Sequence, residues 1–112
     1  MANFKLSNKA TQDLKLIWNY TFAHWSEKQA DKYFQEIINH CSVIANHPKI
    51  GQNYETLMKG LKGSKINKHI LFYRQIRQDE IEVIRILHER MKTVAKQYLK
   101  ILLPFQRSLL PL

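Results

Sequence analysis

Two runs of sequence decide the fold: Lys68-His69-Ile70-Leu71-Phe72-Tyr73-Arg74-Gln75-Ile76 and Glu80-Ile81-Glu82-Val83-Ile84-Arg85-Ile86-Leu87, separated by the polar Gln78-Asp79. The stretch from His69 to Tyr73 is apolar on both faces, which predicts a central strand covered on each side. The second run is rich in β-branched residues, and its short polar connection to the first predicts a hairpin. A further strand is predicted over Leu61 to Ile66, preceded by an irregular region from Gly51 to Gly60.

Upstream, the period is helical. Ser26-Glu27-Lys28-Gln29 fits a capping box, because the Ser hydroxyl can accept from the third helical amide while the Gln side chain returns to the Ser amide. Ala30, Tyr33, Phe34, Ile37, Ile38, Cys41, Ile44 and Ala45 then follow in steps of three and four, until Pro48 and Gly51 end the helix. An earlier helix is predicted from Asn8 to about Trp25, with Ser7 as its N-cap and Ala10, Leu14, Ile17, Trp18 and Thr21 on one side. Phe4 and Leu6 alternate with polar neighbours as a short first strand. The order β-α-α-β-β-β predicts an α+β domain over residues 1–91, in which an antiparallel helical hairpin packs on an antiparallel-rich sheet.

After His88 the character changes again. Met91, Val94, Ala95, Tyr98, Leu99 and Leu102 recur at helical steps beside a row of Lys92, Lys96 and Lys100. Residues 92–112 therefore read as a basic, apolar extension, helical to about residue 103, with Tyr98, Leu99 and Leu102 buried against the domain; Pro104 and Pro111 break regular structure beyond it. The most apolar segment, Ile101 to Phe105, falls well below the roughly 18 to 20 residues a membrane span needs. The opening MANFKLSNKA has no apolar run and resembles no secretory signal. A single Cys makes no internal disulfide, so a reducing cytoplasm is the expected compartment.

Eighteen Lys and Arg against nine Asp and Glu give the 112 residues a formal charge of +9. Eleven of those cations lie in two places: Lys59, Lys62, Lys65, Lys68, Arg74 and Arg77, and then Arg90, Lys92, Lys96, Lys100 and Arg107. They form either an electropositive surface for an acidic protein or phosphate backbone, or solvated charges that keep a small sheet soluble. His24, His40, His47 and His69 lack the close pairing of zinc ligands, so no metal is expected. Cys41 continues an apolar stripe and reads as a buried thiol. Arg85, flanked by Val83, Ile84, Ile86 and Leu87, must reach the surface or be paired, with Glu82 or Glu89 the expected partners. With His88 just beyond, it also offers the minimum for ribonuclease-type chemistry, an Arg for phosphate and a His for proton transfer. Tyr73 and Arg74 carry the same two readings.

Taken together, Leu6-Ser7-Asn8-Lys9-Ala10 with Asp13-Leu14 and Ile17-Trp18, Gln29-Ala30 with Tyr33, Ile44-Ala45-Asn46-His47-Pro48 with Gly51, Gly60-Leu61, His69 to Arg74, and Ile81 to His88 with Arg90-Met91 resemble the ParE branch of the RelE/ParE toxin superfamily. The resemblance covers Phe4 to Met91. It implies the toxin of a type II toxin-antitoxin pair, neutralised by a small acidic antitoxin whose extended C-terminal segment wraps it. ParE-type proteins poison DNA gyrase, whereas RelE-type proteins cleave messenger RNA on the ribosome with basic residues of the sheet and a Tyr or His near the C-terminus.

Arg74, Arg85 and His88 occupy positions comparable to that nuclease set, yet the ParE-like Ile86-Leu87-His88-Glu89-Arg90-Met91 also places an Arg and a His there, so their presence does not favour cleavage. The resemblance thus implies inhibition by binding, with no catalytic residue, cofactor or small-molecule substrate, and no membrane. The expected surface for target or antitoxin is Lys59, Lys62, Lys65, Lys68, Arg74, Arg77, Arg85 and Arg90. The alternatives are a ribosome-dependent endoribonuclease and a degenerate member that only binds antitoxin. The extension departs from the family pattern, in which chains end soon after the match to Arg90-Met91.

Overall fold

The computed structural model describes residues 2–91, so the expected tail helix lies outside the described residues. Strand β1 (Asn3–Leu6) leads into helices α1 (Asn8–His24) and α2 (Glu27–Asn46). Strands β2 (Gln52–Asn53), β3 (Lys62–Ile66), β4 (His69–Arg77) and β5 (Glu80–His88) follow, with a 3-10 turn at Glu89–Met91. The five strands lie in the order β1-β5-β4-β3-β2. β1 runs parallel to β5, with Phe4 opposite Ile81 and Leu6 opposite Val83, while every other pair is antiparallel. The sheet is therefore mixed: a parallel neighbour needs a long crossover, and the helical hairpin supplies part of it.

Ser7 joins strand to helix with three bonds. Its backbone N–H donates to the Val83 carbonyl at 2.9 Å, its hydroxyl oxygen accepts from the Ala10 amide at 3.0 Å, and its hydroxyl donates to the Ile84 carbonyl at 2.7 Å. The N-cap that the sequence predicts thus also fastens α1 to the last strand. Ser26 caps α2 by accepting from the Gln29 amide at 3.0 Å.

The central strand has two covered faces, as its composition predicts, but the covers differ. On one side Ala10 and Leu14 of α1 and Ile37, Cys41, Ile44 and Ala45 of α2 pack on Leu71, Tyr73, Ile81, Val83 and Ile86. On the other, Tyr54, Leu57 and Leu61 close over Ile70, Phe72, Ile84 and Leu87. The region from Gly51 to Gly60, expected to be irregular, is therefore a structural lid. It contains β2, paired with Lys62 and Gly63, and returns through a bond from the Tyr54 amide to the Leu61 carbonyl at 2.9 Å. Too short for any period to register, β2 exists because β3 offers it a ladder.

Tyr73 is fully buried, and its hydroxyl holds the loop after α2 by donating to the Pro48 carbonyl at 2.8 Å and accepting from the Gly51 amide at 3.0 Å. Gly63 admits the lid: a Cβ there would stand 2.7 Å from the Tyr54 ring and 3.2 Å from Ile70. Because Tyr54 is wedged edge-on against Phe72 at 5.1 Å between ring centres, it has little room to yield. Gly63→Ala is expected to cost about 1 to 3 kcal/mol of folding stability through overpacking, measured by chemical denaturation.

Candidate functional site

Beyond Leu6 the first strand has ended, and the outer edge of β5 would be bare from Arg85 onward. Asp13, from the second turn of α1, occupies that edge. One carboxylate oxygen, Oδ2, accepts from the Ile86 amide at 3.0 Å and from Arg85 Nε at 2.8 Å, and Oδ1 accepts from Arg85 Nη2 at 3.0 Å. Both side chains are nearly enclosed, at 11% exposure for Arg85 and 10% for Asp13. A shift in register makes this possible: Phe72 faces Arg85 and Tyr73 faces Val83, leaving Ile84 as an extra residue in β5. Such a bulge re-aims the side chain that follows it.

The partner of Arg85 is thus Asp13, 72 residues away in sequence, and neither Glu82 nor Glu89 as expected. Those two acids are engaged elsewhere. Glu82 accepts from Arg74 Nε at 3.0 Å, and Glu89 pairs with Lys65 at 2.7 Å. The hydrogen bond from Lys65 holds the Glu89 carboxyl below its usual range. Arg77 lies 3.6 Å from Glu80. Lys59, Lys62, Lys68 and Arg90 have no carboxylate within 4.0 Å among the described residues.

These cations fall at two ends of the sheet. Arg74 and Arg77 sit where β4 turns into β5, whereas Lys65, Lys68 and Arg90 gather where β5 ends, tied by a 2.7 Å bond from the Glu89 amide to the Lys68 carbonyl. Arg74 lies opposite Glu82 and His88 opposite His69, five residues from Arg74 along β4, about 17 Å at strand rise. The structure does not bring Arg74, Arg85 and His88 to one point, and the Arg85 guanidinium is occupied by Asp13. Tyr73, Arg74's neighbour, serves the core.

The end of the sheet holds a cluster that the sequence left unassembled. His69 and His88 face each other across β4 and β5, ring centres 5.3 Å apart, and Tyr33 of α2 places its hydroxyl 2.7 Å from His69 Nδ1. Burial lowers His69 to a pKa of about 4, reinforced by His88 and opposed by Asp13 and Glu89, while burial pushes Tyr33 up to about 12. His88 Nδ1 accepts from the Arg90 amide at 3.0 Å. His40 reaches Ser64 at 2.9 Å, and burial lowers its pKa too.

The two histidines are equally far from the Gln78-Asp79 turn, so a symmetric hairpin would have paired them on paper. Register slips on either strand, at Ile76 and Ile84, cancel and preserve that pairing. Tyr33 could not be read so, because only the docking of α2 brings it across.

His24 stacks on Tyr20 at 4.0 Å, and His47 caps α2. Cys41 is fully buried, and burial pushes its thiol up to about 12, leaving it neutral. No three His, Cys, Asp or Glu side chains form a metal-ligand group among the described residues. No described helix is long and apolar enough to cross a membrane.

Comparison with known proteins places this geometry in context. Residues 4–93 match the family described as the ParE toxin of the type II toxin-antitoxin system parDE. The chain is 36% identical to Toxin ParE1 of Caulobacter vibrioides over 95 residues, covering 85% of this chain and 97% of that protein. It is 32% identical to Toxin ParE1 of Mycobacterium tuberculosis over 90 residues, covering 80% and 92% respectively. A solved chain from the chromosomal ParDE system of P. aeruginosa shares the fold, with a TM-score of 0.64 at 20% identity, over 79% of this chain and 96% of that one.

Two outcomes follow from these contacts. Asp13→Ala removes the acceptor shared by the nearly enclosed Arg85 guanidinium and the Ile86 amide, and should cost about 3 to 5 kcal/mol in denaturant titration. His69 binds its proton less readily when folded than when unfolded, so the unfolded chain takes up more protons as pH falls. Stability should therefore drop between about pH 6.5 and about pH 4, and His69→Gln should flatten that part of the profile.

Proposed function

The chain belongs to the ParE toxin family of type II toxin-antitoxin systems, and from that membership we propose that it blocks replication in the cytoplasm by binding DNA gyrase and is silenced by an acidic antitoxin. The observation that carries this reading is the family match across the whole described domain, from β1 to the turn after β5. Fold alone would not separate gyrase inhibitors from ribosome-dependent nucleases, because one scaffold hosts unrelated activities.

The placement of the three residues named for a nuclease reading, Arg74, Arg85 and His88, supports inhibition by binding. A nuclease needs a proton donor or acceptor and a phosphate-holding cation within hydrogen-bond reach of one substrate atom. Here Arg74 and His88 stand about 17 Å apart along the sheet, and Arg85 is committed to Asp13.

An extended acidic segment suits the antitoxin role. Lys65, Lys68 and Arg90 at one end, Arg74 and Arg77 at the other, and Lys59 and Lys62 near the lid are spread over a length that a compact acidic site would not reach. Opposed potentials of this kind raise the rate of encounter more than they raise affinity. Arg85 contributes by holding the fold that carries these cations.

Purified chain added to gyrase is expected to inhibit supercoiling and to accumulate cleaved DNA, with both effects reversed by antitoxin. Expression without antitoxin should arrest growth with DNA damage and intact message. Normal supercoiling at large excess, or arrest with cleaved message, would overturn the assignment.

A further inference from the structure

The turn that joins β3 to β4 lies beside the end of β5. Only Asn67 and Lys68 separate the two strands, with Asn67 in the left-handed region at φ 50°, and the Lys68 carbonyl accepts from the Glu89 amide at 2.7 Å. Lys65, Lys68 and Arg90 thereby come to one corner of the sheet. Glu89 stands among them and is the last acid in the sequence, with only cations following it, from Arg90 to Arg107.

The Glu89 carboxylate meets Lys65 at 2.7 Å, and Lys68 and His88 also act on it beyond that hydrogen bond. One anion position is thus addressed by side chains from β3, from the turn and from the end of β5. The pair that fills it is open to water, at 63% exposure for Lys65 and 36% for Glu89, and an exposed pair of this kind contributes little to stability. An external anion can therefore take the place of Glu89 without disturbing the core.

The recess beside the pair is lined by Gln52, Tyr54, Gly63 and Ile70 together with Lys65 and Glu89. It offers no aromatic face, because Tyr54 is only 7% exposed and stands edge-on to Phe72. Single-stranded nucleic acid is held largely by stacking its bases on such faces, so it gains little here. An acidic peptide would exchange one carboxylate for another. A duplex differs from both, since it carries one phosphate charge per about 1.7 Å of its axis and releases condensed counterions as Lys and Arg neutralise them.

We propose that this corner of the sheet binds the phosphate backbone of duplex DNA without reading its sequence, one phosphate displacing Glu89 from Lys65 while Lys68 and Arg90 hold adjacent ones. Glu89 is then an internal competitor that weakens the contact. The same cations are offered to an acidic segment in the antitoxin role, and the two ligands would compete for them. The DNA contact does not rest on the gyrase assignment, because it concerns DNA and this chain alone.

Fluorescence anisotropy of a labelled DNA duplex of about 20 base pairs with the purified full chain, without gyrase, tests this from about 50 to about 200 mM salt. Glu89→Gln is expected to tighten binding about threefold or more and to steepen the logarithmic salt dependence by about 1, as one more phosphate contact does. Misfolding cannot imitate that gain. Lys65→Ala and Lys68→Ala should each weaken binding and make the slope shallower by about 1, whereas Lys28→Ala, exposed on the helical hairpin, should change neither. Absence of duplex binding, an affinity indifferent to Glu89→Gln, or equal losses from Lys28→Ala and Lys68→Ala would overturn the proposal. So would an RNA duplex bound in preference to DNA, or a polyglutamate peptide whose binding gains from Glu89→Gln when that of DNA does not.

Discussion

The contact of Asp13 with Arg85 and the Ile86 amide is the constraint on which the rest of the structure depends. The first strand covers only half of β5, and the remaining edge would leave a backbone donor and a guanidinium stranded beside the core. One carboxylate satisfies both, and it sits on α1 only two turns from the Ser7 cap that binds Val83 and Ile84. Together they lock the helix to the strand at two neighbouring points. A buried ion pair is a weak source of net stability, because both charges give up water to form it, but it tolerates no other placement of its partners.

The rest of the helical layer follows from that placement. With α1 fixed over β5, α2 lies across the sheet so that Ile37, Cys41 and Ile44 fill the space above Leu71 and Tyr73, and Tyr33 and His40 reach His69 and Ser64. Tyr73 then holds the loop after α2, and Gly63 lets Tyr54 settle on Phe72 from the opposite face. The sheet is thus sealed above by helices and below by a short lid, while its cations remain along the ends and edges. Burial within this frame keeps His69 neutral near physiological pH, which suits a structural imidazole better than a proton donor.

A small fold with its charge set apart in this way presents two different surfaces. The excess of cations lies outside the helical hairpin, which carries four cations and four anions and exposes Phe22 and Phe34. Arg85 is set apart from the exposed cations, since it is paired with Asp13 and nearly enclosed.

Sequence alone determined the elements whose side chains repeat over several turns or pleats: the stripe from Ala30 to Ala45, the doubly apolar Ile70 to Tyr73, and the Ser7 and Ser26 caps. It also carried the family resemblance, since that rests on the order of segments. What depended on contact between distant segments was decided only by the tertiary structure. β2 has too few residues to show a period, and the parallel placement of β1 depends on where the hairpin crosses. Asp13 and Arg85 are separated by 72 residues, so nothing local distinguishes Asp13 from nearer acids as the partner. The cations were legible as a count and as two clusters along the chain, but their division between the ends of a sheet was not. Local pattern reports which face of an element is apolar, whereas pairing, register and the use of a charge are set by what that face meets.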